Sequence, residues 1–177
     1  MNNQKLVYEG RIVSVSVGRA TFPNRKRAQI ETVHHPGGAA VVAVDNKQRV
    51  CLLRQYRPVL HEWMWELPAG KLDPGEPPLM TAQRELAEEA GVRADTWIPL
   101  GGVVSSPGVF TETVHLYLAR DLSKTKLAHE EHELIEVHWV ALARAIERAG
   151  AGDINDGKTV AGLFRASRYI KGKRKTD

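Results

Sequence analysis

The stretch from residue 70 to residue 92, GKLDPGEPPLMTAQRELAEEAGV, constrains the fold of this chain more than any other. Two prolines suit the first turn of a helix, and a glycine after the last alanine suits its C-terminal cap. On that helix Glu85 and Glu89 lie one turn apart on the same face, with Glu88 beside them, and like charges so placed repel. A hard divalent cation would offset the repulsion, since Mg²⁺ and Mn²⁺ prefer carboxylate oxygens. The pattern therefore predicts a helix with a metal site.

The same segment resembles the Nudix box, G-x5-E-x7-R-E-U-x-E-E-x-G-U, in which U is a bulky aliphatic residue. The resemblance implies a hydrolase that cleaves a nucleoside diphosphate linked to another group. It also implies an α/β fold, a Nudix-type α/β/α sandwich with a mixed sheet on which the box helix packs. The alternative, a Glu-rich helix on the surface, does not explain the glycines or the spacing. The box positions are filled without an insertion by Gly70, Glu76, Arg84, Glu85, Leu86, Glu88, Glu89, Gly91 and Val92.

Composition excludes several other classes of protein. No apolar run reaches transmembrane length, and the first ten residues lack the apolar region of a secretion signal, so we expect a cytoplasmic enzyme with no membrane partner. The net charge is +4, but the last seven residues, KGKRKTD, contribute +3 of it, so no specific nucleic-acid partner is expected. The single cysteine, Cys51, lies in an apolar run and is expected to be a buried thiol.

The chain is expected to divide into a small N-terminal part and a larger remainder. Residues 11–18 alternate in polarity and predict a strand, and residues 28–34 predict a second one. We expect residues 1–36 to form N-terminal antiparallel strands that serve as a dimerisation element, and residues 37–177 to form the Nudix hydrolase domain. The box helix should bury Leu79, Ala82, Leu86 and Ala90, and the C-terminal helix should place Val160, Leu163, Phe164 and Ser167 on one side. The remaining expected elements are strands near 39–44, 49–57, 63–68, 97–104, 114–120 and 135–140 and helices near 78–90, 141–149 and 158–170.

The chemistry implied by the box requires more than one cation. A pyrophosphate link resists hydroxide because its negative charges repel the nucleophile, and divalent cations neutralise that charge and acidify a bound water. Glu85 and Glu89 are the leading candidate ligands, and Glu88 is a further ligand or an orienting group. The resemblance also implies that the backbone carbonyl of Ala69, just before the box glycine, is a metal ligand. We therefore expect two or more Mg²⁺ or Mn²⁺ ions per site, with Arg84 as a structural partner of the glutamates and Glu76 in a peripheral role.

Features outside the box narrow the substrate. Pro107 lies fifteen residues after the box, and VHHPGGAAVVAV, LLRQYRP, WELPAG and SSPGVFTE resemble stretches of the ADP-ribose pyrophosphatase subgroup. That resemblance implies that Arg57 contacts the diphosphate or terminal ribose and that Glu66 lies near the metal site. It also implies that Glu66, Pro107 and Arg54 are substrate-binding residues. It implies hydrolysis of ADP-ribose to AMP and ribose 5-phosphate by a homodimer joined through the N-terminal strands. Another nucleoside-diphosphate sugar, such as GDP-mannose, and a non-catalytic nucleotide-binding module are the alternatives.

Enzymes of this subgroup also use a glutamate outside the box to orient or deprotonate the water. The segment AHEEHELIEV offers Glu130, Glu131 and Glu133. We favour Glu133 as catalytic, because E-x-I-E-V best fits the subgroup pattern before the last core strand. The alternative is an acidic loop with no catalytic role, and His129 and His132 beside these glutamates are expected to be solvated.

Overall fold

The computed structural model describes residues 4–128 and 134–173. The candidate loop glutamates Glu130, Glu131 and Glu133, together with His129 and His132, lie outside the described residues. Within those ranges the chain forms ten strands and three helices. The strands are β1 (Lys5–Glu9), β2 (Ser14–Thr21), β3 (Arg27–His34), β4 (Gly38–Ala43), β5 (Arg49–Arg57), β6 (Glu62–Glu66), β7 (Ala69–Lys71), β8 (Val92–Val104), β9 (Thr113–Lys124) and β10 (Ile135–Ala141), and the helices are α1 (Pro78–Ala90), α2 (Leu142–Ala151) and α3 (Gly157–Lys173).

The strands form three sheets. A four-stranded sheet has the order β7-β4-β9-β8, in which β4 and β9 are parallel and the other pairs are antiparallel. A second sheet has the antiparallel order β10-β5-β6, and a bridge between Val44 and Val50 joins the two. The third sheet, β1-β2-β3, is antiparallel and contains the N-terminal strands. The prediction of an α/β fold with a mixed sheet and a small N-terminal sheet is confirmed.

Strand β4 divides the core into two layers because its side chains alternate. Ala40 and Val42 pack with α2 and α3 residues, such as Leu163, in one buried cluster. Ala39 and Val41 pack on the opposite side, in a second cluster that includes residues of α1. All six residues of β4 are buried, as expected for a strand covered on both faces. The predicted α/β/α sandwich is therefore confirmed.

Helix α1 begins and ends where the sequence signals indicated. Pro77 precedes it with φ −64° and ψ 141°, and Gly91 ends it in the left-handed region at φ 65°, donating its N–H to the carbonyl of Ala87. The predicted stripe of Ala82, Leu86 and Ala90 is buried, whereas Leu79 is only half-buried. Two polar residues that periodicity did not assign to the core, Thr81 and Glu89, are buried as well. Helix α1 thus turns one of its glutamates inward.

Two sequence expectations need correction. The strand predicted over residues 11–18 begins at Ser14, and a further strand, β1, precedes it. On α3, Val160 and Phe164 are exposed, Phe164 by 63%, although both were expected on the side of Leu163. The buried stripe of α3 is shifted around the helix, because the residues that face the sheet follow the spacing i, i+4, i+7, i+11. This stripe consists of Thr159, Leu163, Ala166 and Ile170.

The N-terminal sheet meets the rest of the chain at β3. Val33 donates its N–H to the carbonyl of Val109 at 2.7 Å and accepts the N–H of Thr111 at 3.0 Å. On β1, Leu6, Val7 and Tyr8 are each more than half exposed. A domain boundary at residues 36 and 37 stays a prediction. None of the helices in residues 4–128 and 134–173 is both long and apolar enough to cross a membrane.

Candidate active site

The three box carboxylates lie on α1 at different depths. The buried Glu89 is 4% exposed, whereas the side chains of Glu85 and Glu88 are 13% and 43% exposed. Arg84 contacts the outer two, with Nη1 lying 2.6 Å from Oε1 of Glu85 and 3.2 Å from Oε2 of Glu88. The guanidinium therefore offsets the repulsion between neighbouring carboxylates on the helix, as predicted for Arg84.

Strand β7 fits closely against this face of α1. The N–H of Ala69 donates to Oε2 of Glu89 at 2.8 Å, which fixes the buried carboxylate beside the residue whose carbonyl is a predicted ligand. Gly70 packs directly on the Glu85 carboxylate, and a Cβ at this position would overlap that group. Pairing of Ala39 with Gly70 and of Ala40 with Ala69 holds β7 on β4. A side chain at residue 70 would therefore displace the Glu85 carboxylate from its position against β7.

Glu76 supports the site from outside it. Its carboxylate accepts hydrogen bonds from Nε and Nη2 of Arg84 at 3.2 and 3.1 Å and from the Thr81 hydroxyl at 2.7 Å. The bond from Arg84 is the largest influence on the pKa of Glu76, and it outweighs partial burial, so the pKa falls to about 2. The pKa of Arg84 is raised, chiefly by its hydrogen bond to Glu76. Burial would lower this pKa, but the surrounding carboxylates outweigh it. Glu76 thus holds Arg84 in place.

The donors around β7 and α1 fit a hard divalent cation in their chemistry. Carboxylate oxygens of Glu85, Glu88 and Glu89 and the carbonyl of Ala69 are the ligand types that Mg²⁺ and Mn²⁺ prefer. Within residues 4–128 and 134–173, no three His, Cys, Asp or Glu side chains converge on one point. The carboxylates of Glu85 and Glu88 are both hydrogen-bonded to Arg84. A cation that binds all three glutamates therefore requires Glu85 or Glu88, or both, to turn toward Glu89.

A cleft of about 610 Å³ opens beside β7. Its walls come from β4, β5 and β7, from the end of β8, and from the first residues of α3. Ala69 and Gly70 line it, so the cleft adjoins the carboxylate face of α1. Its polar lining includes His35, Arg57, Lys71, Ser105, Glu112 and Lys158.

The predicted substrate residues Arg57 and Glu66 form a bidentate pair at this cleft. Nε and Nη2 of Arg57 donate to the two carboxylate oxygens of Glu66 at 2.6 and 2.7 Å, and the Lys158 ammonium also contacts Glu66. Glu66 is only 2% exposed. Burial by itself would raise the pKa of Glu66, but the Arg57 hydrogen bonds and the positive charge of Lys158 outweigh it and lower the pKa to about 2. Arg57 faces the cleft, and Glu66 lies behind it.

Two other predicted substrate residues lie away from the cleft lining. Arg54 contacts Glu136 at 3.6 Å and lies over the Trp63 ring at 5.2 Å from its centroid. Pro107 lies in the loop between β8 and β9, which places Ser105 and Glu112 on the cleft wall rather than Pro107 itself. In the part of the chain that the structure describes, neither Arg54 nor Pro107 lines this cleft.

Sequence reasoning missed several polar residues of the cleft. Nδ1 of His35 accepts the N–H of Gly37 at 3.0 Å and lies 3.4 Å from Oε1 of Glu112, whose other oxygen accepts from Ser105. Asp156 and Lys158 enter from the start of α3, far from the box in sequence. An Asp-Gly pair before a helix was the one available signal, since Asp favours the N-cap. It indicates a helix start but not what the helix faces.

Comparison with known proteins agrees with this geometry. The NUDIX domain family model matches residues 34–162, and the chain therefore belongs to the Nudix family. It is 37% identical to the methanol dehydrogenase activator of Bacillus methanolicus, over 87% of this chain and 84% of that protein. It is 36% identical to the ADP-ribose pyrophosphatase of Bacillus subtilis, over 86% and 84% respectively. A crystal structure of an ADP compounds hydrolase superposes with a TM-score of 0.83 at 26% identity, covering 97% of this chain and 94% of the other. The predicted resemblance to ADP-ribose pyrophosphatases and the prediction of a Nudix pyrophosphatase are confirmed.

Replacing Glu66 by Gln should destabilise the protein in a pH-dependent way. The substitution leaves Arg57 and Lys158 without their shared anion, which should cost about 3 kcal/mol near neutral pH. The folded pKa of about 2 lies below the reference value of 4.5, so the stabilisation is present above 4.5 and is lost as the pH falls toward 2. Urea unfolding at about pH 7 and about pH 3 should show the gap between wild type and Glu66→Gln shrinking in acid.

The matched control is Glu62→Gln, which removes an exposed carboxylate from the same strand. It should change the unfolding free energy by less than about 0.5 kcal/mol. A gap between wild type and Glu66→Gln that is the same at both pH values would contradict this account of Glu66.

Proposed function

We propose that this chain is a divalent-metal-dependent pyrophosphatase that hydrolyses ADP-ribose to AMP and ribose 5-phosphate. The observation that supports this proposal is that the acidic face of α1 adjoins the cleft. The carboxylate face of α1 meets, at Ala69 and Gly70, a cleft into which Arg57 points a guanidinium. The relative from Bacillus subtilis that is named an ADP-ribose pyrophosphatase supports the choice of substrate.

The residues of the site divide the work between the phosphates and the water. Two or more divalent cations, Mg²⁺ or Mn²⁺, would be held by Glu85, Glu88, Glu89 and the carbonyl of Ala69. When bound, these cations neutralise phosphate charge and lower the pKa of a coordinated water. Glu66 takes two of the five N–H groups of Arg57, and the others suit the oxygens of a diphosphate. The cleft volume of about 610 Å³ is in the range of small-molecule sites.

The water needs a group that orients or deprotonates it. We assign this role to Glu133, which belongs to the acidic segment before β10 in the sequence and lies outside the described residues. Glu88, the most exposed box glutamate, is the alternative base. Either carboxylate would accept the proton that the attacking water loses as the new P–O bond forms. The bridging P–O bond of the diphosphate breaks in the same step, and the bridging oxygen leaves with the other phosphate, which gives AMP and ribose 5-phosphate.

A second candidate substrate is another nucleoside-diphosphate sugar, such as GDP-mannose. The α1 carboxylates and Arg57 act on the diphosphate that all these compounds share, and they do not distinguish the base. A non-catalytic binding module is disfavoured, because each glutamate of the box is present. The direct experiment is incubation of the protein and Mg²⁺ with ADP-ribose, GDP-mannose and other nucleoside-diphosphate sugars, with chromatography of the products. Release of AMP from ADP-ribose faster than cleavage of the others supports the assignment.

In that assay Glu89→Gln should keep the fold and lose most of the activity. The change removes one negative charge from the cation-binding face and leaves the shape of the side chain nearly unaltered. Chelation of divalent cations should silence the wild type, and added Mg²⁺ should restore it. Glu147→Gln, on the exposed side of α2, is the control and should behave as wild type. Full turnover of Glu89→Gln at saturating Mg²⁺ would sink the assignment of the metal site.

Glu133→Gln should lower turnover by about 10²–10⁴-fold, the usual effect of removing a general base. The KM for ADP-ribose should change little, since the residue acts mainly in the transition state. Glu130→Gln and Glu131→Gln are the matched controls and should be milder. Near-normal turnover in all three variants would move the base to the box helix, with Glu88 as the first choice.

We further propose a homodimer joined through the N-terminal sheet. Among the residues of β1, β2 and β3 only Ser16 and Thr32 are buried, and Leu6, Val7 and Tyr8 on β1 are 51–56% exposed. Light scattering at micromolar concentration should give about twice the chain mass of 19.7 kDa. Replacing Leu6 and Tyr8 together with Ser should shift the mass toward the monomer. A fully active monomer of the wild type at that concentration is the contrary result.

A further inference from the structure

Four charged side chains form a compact cluster at the cleft, which we call the cleft quartet: Arg57, Glu66, Asp156 and Lys158. Lys158 contacts Oε2 of Glu66 and lies 3.1 Å from Oδ1 of Asp156. Arg57 binds both oxygens of Glu66 at 2.6 and 2.7 Å. Two cations and two anions make the quartet neutral. Three of its members, Arg57, Asp156 and Lys158, line the cleft, whereas Glu66 is buried behind them.

Lys158 is held in a fixed position. It is the second residue of α3, and Asp156 caps the helix by accepting the N–H of Thr159 at 3.0 Å and its hydroxyl at 2.6 Å. Its side chain is only 18% exposed. Burial would lower the pKa of Lys158, but the charges of Asp156 and Glu66 outweigh it and raise the pKa, so the ammonium stays charged at neutral pH.

The position of Lys158 determines what Arg57 presents to the cleft. Lys158 shares the Glu66 carboxylate and neutralises Asp156, whose charge also acts on Arg57. Without Lys158, Arg57 would be the single cation of the quartet beside the carboxylates of Glu66 and Asp156, and the quartet would have a net charge of −1. This partly buried and weakly screened part of the cleft would then be less favourable for an anionic ligand.

We propose that Lys158 is a positioning residue for diphosphate binding, which keeps the outer N–H groups of Arg57 directed at the phosphate oxygens by balancing Asp156 and Glu66. The inference rests on the proposed function, since it requires an anionic diphosphate in this cleft. It adds a charge-balancing group from α3, an element outside the box and its flanking strands. The role follows from the balance of charge and not from a contact of Lys158 with the substrate.

The test compares Lys158→Met with Lys158→Arg and with the double variant Lys158→Met/Asp156→Asn. Two readouts are used: steady-state kinetics on ADP-ribose, and calorimetric binding of the non-hydrolysable analogue α,β-methylene-ADP-ribose with Mg²⁺. Lys158→Met should raise KM and the analogue Kd by about 10- to 100-fold, with a smaller effect on kcat. Lys158→Arg should restore binding to within about threefold, because it restores the charge.

The double variant separates charge balance from other roles. It leaves a neutral Arg57 and Glu66 pair, and Asn can still cap α3, so it should recover most of the lost affinity. If it binds the analogue no better than Lys158→Met, then Lys158 acts through direct contact or as scaffold, and the inference is overturned. An unchanged Kd in Lys158→Met would overturn it equally. Lys47→Met, an exposed turn lysine, controls for the loss of one positive charge and should leave binding unchanged.

Asp156→Asn alone keeps the test decisive if Lys158→Met fails to fold. This variant retains Lys158 and gives the quartet a net charge of +1, so it should bind the analogue more tightly than the wild type does. An equal or weaker affinity in folded Asp156→Asn would contradict the charge-balance role. A wild type that hydrolyses ADP-ribose while the variants show no such pattern refutes only the inference. A wild type that neither binds the analogue nor cleaves any nucleoside-diphosphate sugar refutes the proposed function and the inference together.

Discussion

The close approach of β7 to α1 is the constraint on which the site depends. The N–H of Ala69 reaches Glu89, and Gly70 lies directly on Glu85, so a short strand and a helix share one acidic surface. A buried carboxylate is costly unless it accepts hydrogen bonds, and the backbone of β7 supplies one. Because β7 pairs with the buried strand β4, the core of the sandwich fixes this surface from below. The packing of the interior thus determines where the acidic groups of α1 lie.

Local signals made much of the fold predictable. Prolines before α1 and a glycine after it gave its limits, and the apolar run of β4 indicated a strand covered on both faces. The position of Glu89 was harder to foresee in physical terms. Periodicity treats a glutamate as a surface residue, whereas its burial is favoured by a partner N–H on β7, twenty positions earlier in the chain. For the same reason Val160 and Phe164 were misplaced, since the side of α3 that meets the sheet is set by tertiary packing.

The residues that α3 contributes to the cleft wall were not predicted from the sequence. Arg57 and Glu66 were each predicted as site residues, because a family resemblance covers their strands, but their pairing with each other was not predicted. Lys158 was not foreseen, since a lysine in the first turn of a helix has no local mark that distinguishes it from a solvated one. Its partner Glu66 lies 92 positions earlier in the chain. Such long-range ion pairs depend on the packing of α3 against β4 and β6, which a single sequence does not specify. The loop with Glu133 stays a prediction from the resemblance.

Val33 joins the N-terminal sheet to the loop between β8 and β9. Its N–H donates to the carbonyl of Val109, and its own carbonyl accepts the N–H of Thr111. That loop ends next to Glu112, which lines the cleft, accepts a hydrogen bond from Ser105 and lies beside His35. The rim of the cleft is thereby tied to the N-terminal sheet by backbone hydrogen bonds. The loop between β8 and β9 belongs to two sheets at once, because its ends continue into β8 and β9 while Val33 of β3 pairs with its middle.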